Sequence, residues 1–150
     1  MPAQLPDTLR SPQGNQSAMP TQRDNNLQQA HKVLDWNRKY LNHASTLSPE
    51  RVGECFAPAF VVDANGRRYQ ANHQNYQAFL EDMKHSLSGI EYTVDHEVAD
   101  DHSAVFAMRV GISKKDGSTE HFNAVLLTQF DADGKVTLWH EVYVPQPGRA

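Results

Sequence analysis

The tightest constraint on the fold lies in the second half of the chain, where apolar residues change their spacing. Ile90, Tyr92, Val94, His96 and Val98 alternate with Glu91, Thr93, Asp95 and Glu97. Period-two alternation is the pattern of a strand whose side chains point to opposite faces in turn. It resumes over Ala104–Ile112, Glu120–Phe130 and Gly134–Val144, and the intervals are short polar turns: Asp100-Asp101-His102, Lys114-Lys115-Asp116-Gly117 and Asp131-Ala132-Asp133-Gly134. Connections this short join antiparallel neighbours, because a parallel pair needs a crossover of about a dozen residues or more. The second half is therefore expected to form four strands in hairpin sequence.

The first half is helical in pattern. Leu27, Ala30, Leu34, Leu41 and Ala44 keep near-helical spacing, and Val33, Trp36 and Tyr40 widen the stripe. Ser48-Pro49-Glu50 is a helix start, with Ser as cap and Pro at the first position, opening a short helix to about Phe56. Phe60-Val61-Val62-Asp63 reads as a strand entering the Asn65-Gly66 turn. Asn72 caps a third helix whose face carries Tyr76, Phe79, Leu80, Met83 and Leu87, with Gly89 ending it. Three helices, an early strand between the second and third, and then four hairpin strands predict an α+β domain over residues 26–145, its helices on one side of an antiparallel sheet. Residues 1–25 are rich in Pro, Gln, Asn and Ser and lack apolar periodicity, so they read as a disordered or loosely docked tail; residues 146–150 form a C-terminal tail.

Composition narrows the function. A net charge of −4 with 21% charged residues points to no nucleic-acid or membrane partner. No apolar run approaches the roughly 20 residues of a membrane span, and residues 1–25 hold no secretory apolar core, so a cytoplasmic protein is expected. Cys55, the single cysteine, excludes an internal disulfide and reads as a buried structural thiol. The eight histidines show no metal-ligand spacing, and Asp131-Ala132-Asp133-Gly134 opens like a calcium loop but reaches Val142 where a Glu is needed. With no Gly-rich phosphate cradle and no Gly-x-Ser-x-Gly elbow, no metal and no cofactor are expected.

The last strand is the strongest pointer to a site. Alternation puts Trp139, Glu141 and Tyr143 on one face and Val136, Leu138, His140, Val142 and Val144 on the other. A carboxylate between two large aromatics suits the wall of a pocket. Pairing the hairpins through their turns sets Glu141 opposite Ala124, Phe122 opposite Tyr143, and Arg109 opposite Phe122, which makes Arg109 and Glu141 diagonal neighbours. Such a pair orients a carboxylate or carbonyl substrate, or holds Glu141 ionised; equally, it is a structural salt bridge at the rim. Tyr92 and His96 share the apolar face of their strand, where a histidine satisfied by a neighbour is the simpler reading. On these pairings Phe106, Met108, Val110, Ile112, Val125, Leu127, Leu138 and Val142 form a second apolar face that the helices leave open. A homodimer through this outer sheet face is expected, with His121 and His140 making it pH-sensitive.

The helix order, the Phe56-Ala57 start of the first strand and the Asp-x-x-Gly-Lys-Val hairpin resemble the nuclear-transport-factor-2-like fold over about residues 26–145. That superfamily includes SnoaL-like polyketide cyclases, ketosteroid isomerases and limonene epoxide hydrolases. The resemblance implies a cone-shaped α+β barrel, with three helices packed on a strongly curved antiparallel sheet. Val61-Val62-Asp63-Ala64-Asn65-Gly66 is similar to the stretch holding the isomerases' general base, which makes Asp63 the implied base. The isomerases' acidic donor falls on Leu126, and their tyrosine donor is matched by Tyr40. Met108-Arg109-Val110-Gly111 and Trp139-His140-Glu141-Val142-Tyr143 resemble the epoxide hydrolases' Glu-Arg-Val-Asp and Trp-Arg-Asp-Tyr-Phe, with Gly111 in place of one Asp. The resemblance thus implies Asp63, Arg109 and Glu141 as catalytic residues. Tyr40, Tyr92, His96, Phe122, Leu126, Trp139 and Tyr143 would surround a hydrophobic small molecule undergoing isomerisation, cyclisation or hydration. The alternative is a non-catalytic ligand-binding or dimerisation module of the same fold.

Overall fold

The computed structural model describes residues 21–147, so most of the expected N-terminal tail lies outside the described residues. The order of elements is α1 (Gln22–Tyr40), α2 (Pro49–Val52), β1 (Phe56–Ala64), β2 (Arg67–Asn72), α3 (His73–Lys84), β3 (Leu87–Ala99), β4 (Ser103–Lys114), β5 (Thr119–Phe130) and β6 (Val136–Pro145). None of the described helices is long and apolar enough to cross a membrane.

Local chemistry sets the helix ends. α1 begins inside the stretch read as tail, because Thr21 and Asp24 form a capping box: the Thr21 hydroxyl accepts the Asp24 N–H at 3.1 Å and the Asp24 carboxylate accepts the Thr21 N–H at 3.4 Å. An equivalent box between Asn72 and Asn75 opens α3, and Ser48 caps α2. α3 stops at Lys84, and Gly89 lies within β3 rather than ending the helix.

The six strands form one sheet in the order β2-β1-β6-β5-β4-β3. The fold is α+β, as expected, with three corrections. Arg67–Asn72 completes a hairpin with β1 and adds a strand. The β1–β6 pairing is parallel, so the sheet is mixed. The sheet is open, with β2 and β3 as its edges, and does not close into a barrel. α1 lies against β3 and β4, and α3 against β1 and β2, so the helices share one face. Between them the Phe56 ring meets Trp36 at 5.7 Å, Phe60 at 4.9 Å, Tyr76 at 5.0 Å and Trp139 at 6.5 Å, tying two helices to β1 and β6.

Two details of register decide what faces the helices. The β4–β5 hairpin closes on Lys114 and Ser118, with Lys114 N–H donating to the Ser118 carbonyl at 2.9 Å, so the turn is one residue longer than Lys-Lys-Asp-Gly implies. Arg109 therefore pairs with Asn123, and Val110 with Phe122. This reverses the expected faces of β4: Phe106, Met108 and Val110 are buried under the helices and Arg109 faces out. In β3 the register slips between Val94 and His96, leaving Asp95 as the extra residue of a bulge. Alternation reverses there, and His96 joins Ala107 on the outer face.

Phe56→Ala removes the ring on which α1, α3, β1 and β6 converge and is expected to cost about 3–5 kcal/mol of unfolding free energy, measured by urea denaturation. A cost below about 1 kcal/mol would show that the surrounding rings collapse into the space.

Candidate functional site

A cavity of about 360 Å³ lies between the helices and the covered face of the sheet. Its wall is mostly apolar: Leu80 and Met83 from α3, Ile90 from β3, Val110 and Ile112 from β4, and Phe122 from β5. Inward positions of β1 and β2 add Val62, Ala64, Arg67 and Tyr69, while Trp139, Glu141 and Tyr143 line it from β6, as their alternation predicts. The Phe122 and Tyr143 rings meet edge to face at 5.6 Å.

Glu141 is the central titratable group. Its register partners are Ala64 on β1 and Leu126 on β5, neither of which offers a polar side chain. Burial pushes its carboxyl up to about 7, and the Trp139 side chain, as a hydrogen-bond donor, offsets this only in part. Buried phenols share its cavity. Burial raises Tyr76 and Tyr92 well above the ordinary phenol range, and the nearby Glu141 carboxylate adds to both shifts. Asn37 Nδ2 donates to the Tyr92 hydroxyl at 2.9 Å, leaving that hydroxyl's own proton free to point elsewhere. The buried Tyr69 hydroxyl has no hydrogen-bond partner among the described residues, a cost of roughly 1–3 kcal/mol. A carboxyl that titrates near neutrality can take and return a proton, and phenols that stay protonated can hold a developing oxyanion.

Of the ten residues named from the sequence, Glu141, Trp139, Tyr143, Phe122 and Tyr92 line this cavity. Leu126 is buried in the core, in register with Glu141, and is not among the residues that line the cavity. The other four lie elsewhere. Asp63 falls between the inward-facing Val62 and Ala64 and so points outward, where it accepts the Gly66 N–H at 3.1 Å and lies 3.5 Å from Arg68 and 3.9 Å from His140. Arg109 makes a bidentate pair with Asp95 on the outer face, at 3.0 and 2.8 Å. His96 is turned out by the bulge. Tyr40 packs its ring on Trp36 at 5.1 Å and accepts a bond from Arg51 at 2.7 Å, outside the cavity lining. The expected Asp63–Arg109–Glu141 set therefore does not assemble.

Sequence reasoning missed Asn37, Arg67 and Tyr69, and took Tyr76 for core. Asn37 had a signal: it sits within the apolar stripe of α1, between Val33 and Leu41. Cys55 is buried and its thiol is pushed up to about 11 by burial, as befits a structural residue. Among the described residues no cluster of three or more His, Cys, Asp or Glu could hold a metal ion.

Comparison with known proteins agrees with this architecture. The SnoaL-like domain family matches residues 37–139. An LEH-like epoxide hydrolase from Mycobacterium tuberculosis superposes with a TM-score of 0.68 at 14% identity, over 84% of this chain and 83% of that one. An NTF2-like protein from Anabaena variabilis gives 0.68 at 15% identity, over 85% and 96%. A protein assigned as a SnoaL-like polyketide cyclase from a Jannaschia species gives 0.64 at 15%, over 89% and 92%. Likeness at such identity speaks to the fold. No curated protein matches the sequence.

The raised Glu141 carboxyl fixes a sign. The folded protein keeps this proton to about pH 7, whereas the unfolded chain releases it near the ordinary 4.5. Within that window the unfolded state binds fewer protons, so stability falls as pH rises and levels off above it, by ~3 kcal/mol in all. Glu141→Gln is expected to abolish this fall, so that urea midpoints of variant and wild type diverge progressively across the window. A constant difference between them would show an ordinary carboxyl.

Proposed function

The chain belongs to the SnoaL-like domain family, and we propose that its cavity is the active site of a small acid–base enzyme acting on a hydrophobic molecule. The observation that carries this is Glu141, a buried carboxyl with no cationic partner, pushed to about 7 in a mostly apolar cavity that also holds two buried phenols. In its ionised form Glu141 takes a proton from a carbon next to a carbonyl. The C–H electron pair moves into the carbonyl, and Tyr76 or Tyr92 donates a hydrogen bond to the oxygen that gains charge. Glu141 then returns the proton at a second atom, which leaves an isomerised product. Asp63 and Arg109 take no part, since both face away from the cavity.

The outer face supports a separate proposal, a homodimer. Val125, Val142 and Val144 are 51%, 54% and 53% exposed and border one broad groove. A contiguous apolar patch of this kind is rare on a soluble monomer.

Incubation with a panel of cyclic enones and β-keto esters in deuterated water tests the chemistry, with deuterium uptake read by mass spectrometry. Glu141→Gln is expected to slow exchange by at least ~100-fold while leaving ligand affinity within a small factor. Exchange at the wild-type rate in that variant would remove Glu141 from the mechanism. Sedimentation tests the dimer: Val142→Asp is expected to yield monomers from a dimeric wild type, and a monomeric wild type would refute the interface.

A further inference from the structure

Arg67 is the one cationic side chain among the described residues that lines the cavity. It begins β2 just past the Asn65-Gly66 turn, where φ values of 52° and 86° fold the hairpin back tightly. Register sets Arg67 beside Ala64, and Ala64 beside Glu141, so all three face the cavity in one row across β2, β1 and β6. Arg67 and Glu141 are thus two strands apart, roughly 10 Å between backbones. The residue between them contributes only a methyl group. The row therefore has a cation at one end, a carboxyl at the other and open space in the middle.

The guanidinium is held but not neutralised. Its Nη2 donates to the Tyr143 hydroxyl at 3.1 Å, which fixes it at the cavity mouth beside the Phe122–Tyr143 ring pair. Among the described residues no carboxylate lies within ion-pair distance of Arg67, whereas other basic groups of the sheet are engaged: Arg68 with Asp63 at 3.5 Å, Arg109 with Asp95 at 2.8 Å, and Lys114 with Glu120 at 3.3 Å. Glu141 is not its partner either.

We propose that Arg67 binds the carboxylate of an amphipathic substrate at the cavity mouth, while the apolar body of that substrate reaches inward to Glu141. The inference rests on the cavity being the ligand site, as proposed above. A planar guanidinium meets a carboxylate through two parallel N–H bonds. The Tyr143 hydroxyl accepts from Arg67, so its own proton is free to donate to the same carboxylate. Glu120 lines the same cavity but is engaged by Lys114 at 3.3 Å, so the single charge of Arg67 is the one left for the ligand and is balanced by a monoanionic carboxylate. The substrate class is a monoanionic carboxylic acid with a compact apolar body, its proton-exchanging atom a few bonds from the acid group.

Binding of 4-phenylbutyrate and of its methyl ester separates the headgroup from the apolar body. Tryptophan emission reports both, because Trp139 lines the cavity. The wild type is expected to bind the acid roughly tenfold tighter than the ester, a difference typical of one charge-assisted contact. Arg67→Gln should bring the acid down to the ester's affinity and leave the ester unchanged, and Arg67→Lys should restore part of the preference. Equal binding of acid and ester by the wild type overturns the headgroup proposal and leaves the cavity as a ligand site. Equal weakening of both probes in Arg67→Gln overturns it too, by showing a structural role. Failure of both probes to bind the wild type refutes the headgroup proposal and the ligand-site reading together.

Discussion

Between the β1–β2 hairpin and the four strands β3–β6, the backbone ladder that joins the two parts of the sheet is the parallel pairing of β1 with β6. The Val136 N–H donates to the Cys55 carbonyl at 2.8 Å at one end. At the other end the Asn65 N–H donates to the Glu141 carbonyl at 2.9 Å, and the Asn65 side chain bonds both the N–H and the carbonyl of Tyr143, at 2.8 and 3.0 Å. Along this seam Val62 sits beside Trp139 and Ala64 beside Glu141, with the Phe56 ring packed on Trp139. The first folded strand thus meets the last, and the helices connected to the first are held over the strands that follow them. A pairing so distant in sequence is slow to form, because loop closure must come before its contacts.

The chemistry of the cavity depends on what β4 keeps out of it. Had Arg109 faced inward, a guanidinium beside Glu141 would have held the carboxylate ionised well below neutrality and made it a poor proton donor. Instead Arg109 is satisfied by Asp95 on the far side of the sheet, and Val110 takes the inward position beside Phe122. The cavity keeps one carboxyl without a cationic partner, at a cost to stability. Such costs concentrate where function is served, because a group placed for stability alone would have been paired or replaced by an apolar one.

Much of this was legible in the sequence, and the rest failed for physical reasons. Period-two spacing found β3–β6, and cap residues found α2 and the start of α3. Within β6 alternation alone placed Trp139, Glu141 and Tyr143 on the cavity face. Assigning faces across strands required turn lengths, and there one extra residue, Ser118, moved Arg109 to the wrong side. A bulge leaves no mark in an alternating pattern, so His96 was read on the inner face. Asp63 was carried over from a resemblance of motif, yet its neighbours Val62 and Ala64, both inward, leave it outside. Tyr76 is hidden because a helix stripe does not separate residues that fill a core from residues that border a cavity, whereas Asn37 shows as a polar break in the α1 stripe.

The Asp95 bulge lets a single strand belong to two surfaces. Before it, Ile90, Tyr92 and Val94 follow the inner face; after it, His96 shares the outer groove, while Glu97 turns inward to meet His31 of α1 at 2.7 Å. The two halves of β3 are thereby uncoupled as targets of sequence change. Substitutions at 90 and 92 can reshape what the cavity accepts without altering the outer face. Those at 96 and 98 can alter that face while the cavity stays as it is. One added residue lets this edge strand serve two surfaces that can change separately.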